Sequence, residues 1–140
     1  MDTSTQNLLN VLNGTKSIDT ILEQNSSSFI DQPLCDALAA LLVKKGLTRS
    51  QAIKNSMLNT IYGQQIFFGS KTPSRDKLLA IIFGMGLTFD ETETLLKQQG
   101  YPPLYPRHKR DAIIIYGLMH GISLLDTNTM LYENALPTLL

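Results

Sequence analysis

"GLTRSQAIKNSMLNTIYGQQIFFG", residues 46–69, predicts two short helices joined by a tight turn. Gly46 suits the left-handed conformation that ends a preceding helix, and the Thr48 hydroxyl can cap the next one. The pattern places these two helices at residues 50–56 and 60–68. Two helices joined in this way form the geometry that helix-turn-helix proteins use to read DNA.

The same junction of glycine, apolar residue and hydroxyl residue occurs three times along the chain. Gln51, Glu91 and Asp126 follow its hydroxyl residue by three positions, and the first two complete the pattern of a capping box. No stretch indicates a β-strand, so we predict an all-α protein. The junctions are Gly46-Leu47-Thr48, Gly86-Leu87-Thr88 and Gly121-Ile122-Ser123. Besides the two helices above, we expect a helix from Leu34 to the residue before Gly46, helices over 74–85 and 89–99, and a final pair of helices beyond Pro106.

A faint internal repeat links the helices on either side of the last two junctions. "IIFGMGLTFDETETLLKQQGYPPL" resembles "IIYGLMHGISLLDTNTMLYENALPTL" once a two-residue insertion is allowed. Shared turn chemistry between two helix pairs explains this similarity, and two units are too few to indicate a solenoid.

Composition limits the class of protein. The 140 residues, 43% of them apolar, suit a single domain with an extension. One cysteine and two isolated histidines predict neither a disulfide framework nor a metal site, and we expect no cofactor. We see no run long enough to span a membrane and no signal-peptide pattern, and we therefore expect a soluble cytoplasmic protein.

Charge is unevenly distributed although the net charge is zero. Between Asp36 and Asp76 there is no acidic residue, and six basic residues give this window a formal charge of +6. A one-sided basic surface favours phosphate contact, because each neutralised phosphate releases condensed counterions. The alternative is a solvated face whose asymmetry has no function. The six residues are Lys44, Lys45, Arg49, Lys54, Lys71 and Arg75.

Residues of about 33–100 resemble the lambda-repressor-like (Xre-type) helix-turn-helix family. The resemblance is carried, without a gap over the central motif, by Leu47-Thr48, Leu58-Asn59, Ile66, Gly69, Pro73-Ser74, Leu78, Thr88 and Leu95-Leu96. It implies a five-helix DNA-binding domain over 33–100. Residues 1–32 would then form a partly helical N-terminal arm, and residues 101–140 a C-terminal helical extension that is a possible dimerisation element.

The resemblance also implies which residues would meet DNA. Helical phase puts Ile61, Gln64, Gln65 and Phe68 on one face of the second helix. A glutamine amide can donate to and accept from adenine in the major groove. The family pattern places base contacts at Thr60, Ile61, Gln64 and Gln65, and phosphate contacts at Arg49, Lys54, Lys71, Ser74 and Arg75.

Three positions differ from the family pattern. Gly63 replaces an inward branched residue, and we expect Tyr62 and Phe67 to fill the space. Met57 replaces the usual turn glycine, which predicts altered backbone angles. Ile53 replaces a small alanine, which predicts a wider separation of the two helices.

No combination of nucleophile, base and oxyanion donor is present, so we do not expect an enzyme. The sequence predicts a sequence-specific, dimeric regulator that binds double-stranded DNA. The alternative is a protein-interaction module that keeps the fold and binds a partner through the aromatic recognition helix and the C-terminal helices. "RHKRDAIIIYGLMHG", residues 107–121, is either a solvated helix start over a buried stripe or a subunit interface.

Overall fold

A computed structural model describes residues 3–25 and 32–140, and every regular element in these ranges is an α-helix, which confirms the predicted all-α class. Among these residues, no helix is both long and apolar enough to cross a membrane. The helices are α1 Thr3–Leu12, α2 Ile18–Gln24, α3 Leu34–Lys45, α4 Arg49–Asn55, α5 Thr60–Phe68, α6 Arg75–Met85, α7 Phe89–Gln98, α8 Lys109–Met119 and α9 Leu124–Glu133.

The chain divides into two compact units, residues 1–31 and 32–140. In the first unit α1 packs against α2, and the Ser17 hydroxyl caps α2 by accepting a hydrogen bond from the Thr20 amide. Parts of the predicted arm, residues 1–2 and 26–31, lie outside the described residues. The second unit contains all the predicted contact residues.

The predicted helix junctions are confirmed. Thr48 with Gln51, and Thr88 with Glu91, form complete capping boxes. Ser123 accepts a hydrogen bond from the amide of Asp126 without the reciprocal bond. The glycines of all three junctions have positive φ, from +63° to +68°. These local signals therefore determine where α3, α6 and α8 give way to the helices that follow them.

Two of the departures from the family pattern compensate for each other. A Cβ atom on Gly63 would lie 2.7 Å from Cγ2 of Ile53, so the side chain from α4 occupies the space above the glycine in α5. Ile53 is 2% exposed and Gly63 is buried. The expectation that Tyr62 and Phe67 fill this space was wrong, because the filling group comes from the neighbouring helix. The glycine lets α4 and α5 approach closely despite the bulk of the isoleucine.

The turn between α4 and α5 has the backbone conformation that glycine favours, although it contains none. Met57 has a φ of +61°, in the left-handed region, and its side chain is 52% exposed. Because methionine stands where the family usually has glycine, we expected different backbone angles in this turn. Met57 instead has the positive φ that a glycine would adopt. An L-residue in this conformation costs roughly 1–2 kcal/mol, which the surrounding packing must offset.

The C-terminal pair α8–α9 shares the core of the second unit. Ile114 and Leu131 are fully buried in the same apolar cluster as Leu78 of α6. Residues 101–140 therefore belong to the same compact unit as residues 32–100. The stripe considered for a subunit interface is divided: Ile114, Ile115 and Leu118 are core residues, whereas Tyr116 and Met119 are exposed.

The internal repeat has a constant spacing of 35 residues and needs no insertion. At this spacing α7, Phe89–Gln98, maps onto α9, Leu124–Glu133, and the junction glycine Gly86 maps onto Gly121. Arg75, the first residue of α6, maps onto Arg110, the second residue of α8. Gly100 maps onto Ala135, and both have positive φ. The alignment proposed from sequence placed Ile81 on Ile114, but the shared structure places Ile81 on Tyr116. The earlier register followed the similarity of "IIFG" and "IIYG" and missed the equivalence of the helix ends.

Equivalent hydrogen bonds occur in both copies of this repeat. The Leu104 amide donates to the Glu93 carboxylate, and 35 residues later the Leu139 amide donates to the Asn128 side chain. Both leucines are buried. Residues 74–105 and 109–140 therefore close their ends in the same way, and we call them the first and second repeat.

The repeats are joined by reciprocal ion pairs. Arg75 of the first repeat pairs with Asp111 of the second, and Arg110 of the second forms a bidentate pair with Asp76 of the first. Each arginine also donates to two carbonyls at the end of its own repeat: Pro102 and Pro103 for the first, Pro137 and Thr138 for the second. Because each repeat supplies one arginine and one aspartate, the contact has the pattern of a two-fold axis. Arg110 lies in the stretch 107–121, one reading of which was a solvated helix start, and its guanidinium is instead engaged within the protein.

Candidate nucleic-acid interface

The outward face of α5 carries the four side chains predicted to meet bases. Thr60 is exposed, Ile61 is 70% exposed, and Gln64 and Gln65 are half-buried. Asn59 caps the helix by accepting a hydrogen bond from the Tyr62 amide at 3.1 Å, so the helix begins directly at Thr60. Gly63 and Ile66 face the core, which fixes the rotation of the helix about its axis. The four side chains are therefore presented together on one side.

The two glutamine amides have unused hydrogen-bonding capacity. Within residues 3–25 and 32–140, the side chains of Gln64 and Gln65 make no hydrogen bond to another protein group. An amide that is half-buried and has no protein partner retains a donor and an acceptor for a ligand or water. This chemistry matches base edges, which present donors and acceptors in fixed pairs.

Three cations flank this face without an acidic partner among the described residues. Arg49 begins α4, Lys54 lies in the last turn of α4, and Lys71 follows α5. Lys54 shares a shallow groove with Thr60 and Gln64. All three cations are exposed. The groove places one positive charge directly beside the proposed base-reading residues.

Phe68 has a partner that the sequence did not reveal. The guanidinium carbon of Arg49 lies 4.2 Å from the centre of the Phe68 ring, and the ring is 66% exposed. Stacking on an aromatic face holds the planar guanidinium in a fixed orientation while its outer N–H groups remain available. The signal in the sequence was Phe68 at the end of the outward stripe, but its pairing with a residue nineteen positions earlier depends on the turn between α4 and α5.

The other three cations of the basic window form ion pairs within the protein. Lys44 and Lys45 each lie 2.7 Å from a carboxylate oxygen of Glu91. Their hydrogen bonds, Lys44 first, together with the Thr88 amide, lower the pKa of Glu91 to about 2. Arg75 pairs with Asp111. Two carboxylates, Glu91 and Asp111, therefore offset two of the six positive charges of the window, and Arg49, Lys54 and Lys71 are its cations without an acidic partner in the part of the chain that the structure describes.

Two of the predicted phosphate contacts have structural partners. Arg75 directs its guanidinium to Asp111 and to the carbonyls of Pro102 and Pro103, and we exclude it from the candidate site. The Ser74 hydroxyl accepts a hydrogen bond from the Lys77 amide and so caps α6, although Ser74 is exposed. The candidate site that remains consists of Thr60, Ile61, Gln64 and Gln65, flanked by Arg49, Lys54 and Lys71, with Ser74 at its margin.

Comparisons of the chain with protein-family models, with curated proteins and with solved structures found no match.

Proposed function

We propose that helices α3 to α7 form a lambda-repressor-like domain of Xre type and that the protein is a sequence-specific, dimeric DNA-binding regulator. The observation that carries this proposal is that uncharged polar side chains lie on α5 itself and cations lie on the segments beside it. Two glutamine amides on its outward face have no protein partner among residues 3–25 and 32–140, and the cations of the flanking segments have no acidic partner there. Phosphate contacts fix the register of a protein on DNA, and side-chain amides in the major groove supply sequence preference.

The close packing of α4 and α5 supports the same proposal. A recognition helix must be held rigidly by the helix before it, and the contact of Ile53 with Gly63 provides that support. Because only the three cations Arg49, Lys54 and Lys71 flank the proposed site in the described residues, we expect the affinity for DNA to depend on the amide contacts as much as on charge.

A protein-interaction module is the second candidate. It is favoured by Ile61 and Phe68, which are 70% and 66% exposed on the outward face of α5. Such a module would bury these apolar groups against a partner and would have no use for the unpaired cations beside them. The dependence of binding on salt separates the two candidates.

We expect the affinity for duplex DNA to fall with salt with a log–log slope of about −2.7 per domain, because three cations release counterions at about −0.9 each. Fluorescence anisotropy on a duplex selected from a random pool measures this slope. Lys54→Ala and Lys71→Ala should each make the slope less steep by about 1. The control is Lys97→Ala, which removes an exposed cation on α7 and should leave the slope unchanged. Absence of binding at low salt, or a flat slope, contradicts the proposal.

We expect the double variant Gln64→Ala, Gln65→Ala to lose discrimination between the selected duplex and random DNA by at least about 10-fold. One bidentate amide–base pair contributes about 1–3 kcal/mol to discrimination. Binding to random DNA and the thermal unfolding midpoint should change little, because neither amide has a protein partner in the described residues. Gln98→Ala, an exposed glutamine on α7, serves as control. Equal loss of affinity on all sequences would show that the amides do not read bases.

A further inference from the structure

The two repeats differ in what covers one face of their first helix. At the spacing of 35 residues, Ile81, Gly84 and Met85 of α6 correspond to Tyr116 and Met119 of α8 and to His120, which directly follows α8. In the first repeat this face is buried: Ile81 is 0% and Met85 is 2% exposed. The corresponding face of the second repeat is open, with Tyr116 51% and Met119 61% exposed.

The first repeat identifies the kind of element that covers this face. Helix α4 crosses α6 so closely that a Cβ atom on Gly84 would lie 2.6 Å from the Ala52 carbonyl oxygen. The Asn55 side chain also donates to the Gly84 carbonyl. A helix is therefore the element that packs on this face of the repeat. In the second repeat Met119 replaces the glycine, so an incoming helix would meet protruding side chains and not the backbone.

The open face has the chemistry of an interface. Tyr116 stacks on His120 with ring centres 4.1 Å apart, and Met119 lies one helical turn beyond Tyr116. Aromatic residues and methionine are enriched at protein–protein contacts, where methionine adapts to irregular surfaces. One helical turn earlier, Ala112 and Ile113 are half-buried, and the exposed Lys109 lies at the helix start. We define the α8 face as Lys109, Ala112, Ile113, Tyr116, Met119 and His120.

We propose that the α8 face binds the α8 face of a second copy of the chain, with the two helices antiparallel. The residues between the two ends of the face, Ala112, Ile113, Tyr116 and Met119, carry no charge, so two copies meet there without facing like charges. In the antiparallel arrangement Lys109 of each copy lies at the C-terminal end of the other helix, where the negative end of the helix dipole stabilises a cation. A two-fold axis satisfies both ends at once. The proposal assigns the interface of the dimer in the proposed function. The contact between the two α8 faces does not itself depend on DNA binding.

Sedimentation velocity on the full chain over a range of concentrations tests the proposal. The wild type should be a dimer at micromolar concentration. Met119→Glu places two carboxylates in the apolar contact, and we expect the dimer dissociation constant to rise by at least about 100-fold. The matched control is Val43→Glu on α3, where the wild-type side chain is 84% exposed and the dimer should persist. Circular dichroism should show native helix content in both variants, since both positions face solvent in the monomer.

Cross-linking tests the orientation of the two helices. In a Cys35→Ser background, Tyr116→Cys lies near the middle of the face and should form an intermolecular disulfide under mild oxidation. Lys109→Cys lies at the end of the face and should not cross-link to itself in an antiparallel pair. A monomeric wild type, a Met119→Glu dimer as tight as wild type, or dissociation by Val43→Glu overturns the proposed interface. DNA binding by a monomeric chain would overturn the interface while leaving base reading by α5 intact.

Discussion

Asp111→Ala should lower the free energy of unfolding by about 3–5 kcal/mol. The Asp111 side chain is 7% exposed, and its two oxygens accept hydrogen bonds from Arg75 and from the Tyr105 amide. Its removal leaves a largely buried guanidinium without a counterion and an amide without an acceptor. Breaking one side of a buried ion pair carries this cost because the remaining charge stays desolvated. Urea denaturation followed by circular dichroism measures the change.

The second ion pair between the repeats provides the control. Asp76 occupies the equivalent position in the first repeat, but its side chain is 41% exposed, and among the described residues its carboxylate accepts hydrogen bonds from the Arg110 guanidinium alone. We therefore expect Asp76→Ala to cost only about 1 kcal/mol. Equal effects of the two substitutions would show that burial does not distinguish the pairs. A loss below about 1 kcal/mol for Asp111→Ala would contradict its role in joining the repeats.

The elements that the sequence predicted well are those specified by short-range chemistry. The helix over 60–68 was predicted with its exact bounds, because Asn59 caps its start and Gly69 ends it. The capping boxes at Thr48 and Thr88 follow from residues three positions apart. Helical phase also separated the outward side chains of α5 from Gly63 and Ile66. In each case the interacting groups are within one or two helical turns.

The features that the sequence missed depend on contacts between distant segments. Counting charges between Asp36 and Asp76 assumed that every cation faces solvent, but Glu91 and Asp111 lie outside that window. These two carboxylates offset two of the six positive charges, and three of the six cations are engaged in ion pairs for this reason. The compensation between Ile53 and Gly63 was missed for the same reason. Each residue was compared with the family pattern separately, whereas the large side chain of Ile53 fills the space that the missing side chain of Gly63 leaves.

The repeat register shows a further limit of sequence comparison. Similar apolar strings aligned "IIFG" with "IIYG", whereas the helix ends, the caps and the buried leucines Leu104 and Leu139 follow a different spacing. Structure conserves the positions of caps and turns because they satisfy backbone groups. Apolar residues within a helix can be exchanged among neighbouring positions, and their order is therefore a weaker guide to equivalence.

Gly84→Ala should destabilise the protein by about 3 kcal/mol, although alanine is normally better than glycine within a helix by about 1 kcal/mol. The added Cβ would lie 2.6 Å from the Ala52 carbonyl oxygen and 2.8 Å from the Ser56 amide nitrogen, both of which are backbone atoms of α4 or its end. A side chain could turn aside, but here the whole helix must move. Such a movement would also shift α5, which packs on α4.

Gly63→Ala separates this backbone clash from a side-chain clash. At Gly63 the obstruction is the Ile53 side chain, so Gly63→Ala should be partly rescued in an Ile53→Ala background, with a favourable coupling of about 1–2 kcal/mol. Gly84→Ala should gain nothing from Ile53→Ala, because the side chain is not what obstructs it. Thermal and urea unfolding of the single and double variants measure both cycles. If Gly84→Ala proves neutral or stabilising, α4 does not pack on α6 as closely as described, and the comparison that leaves the α8 face uncovered loses its basis.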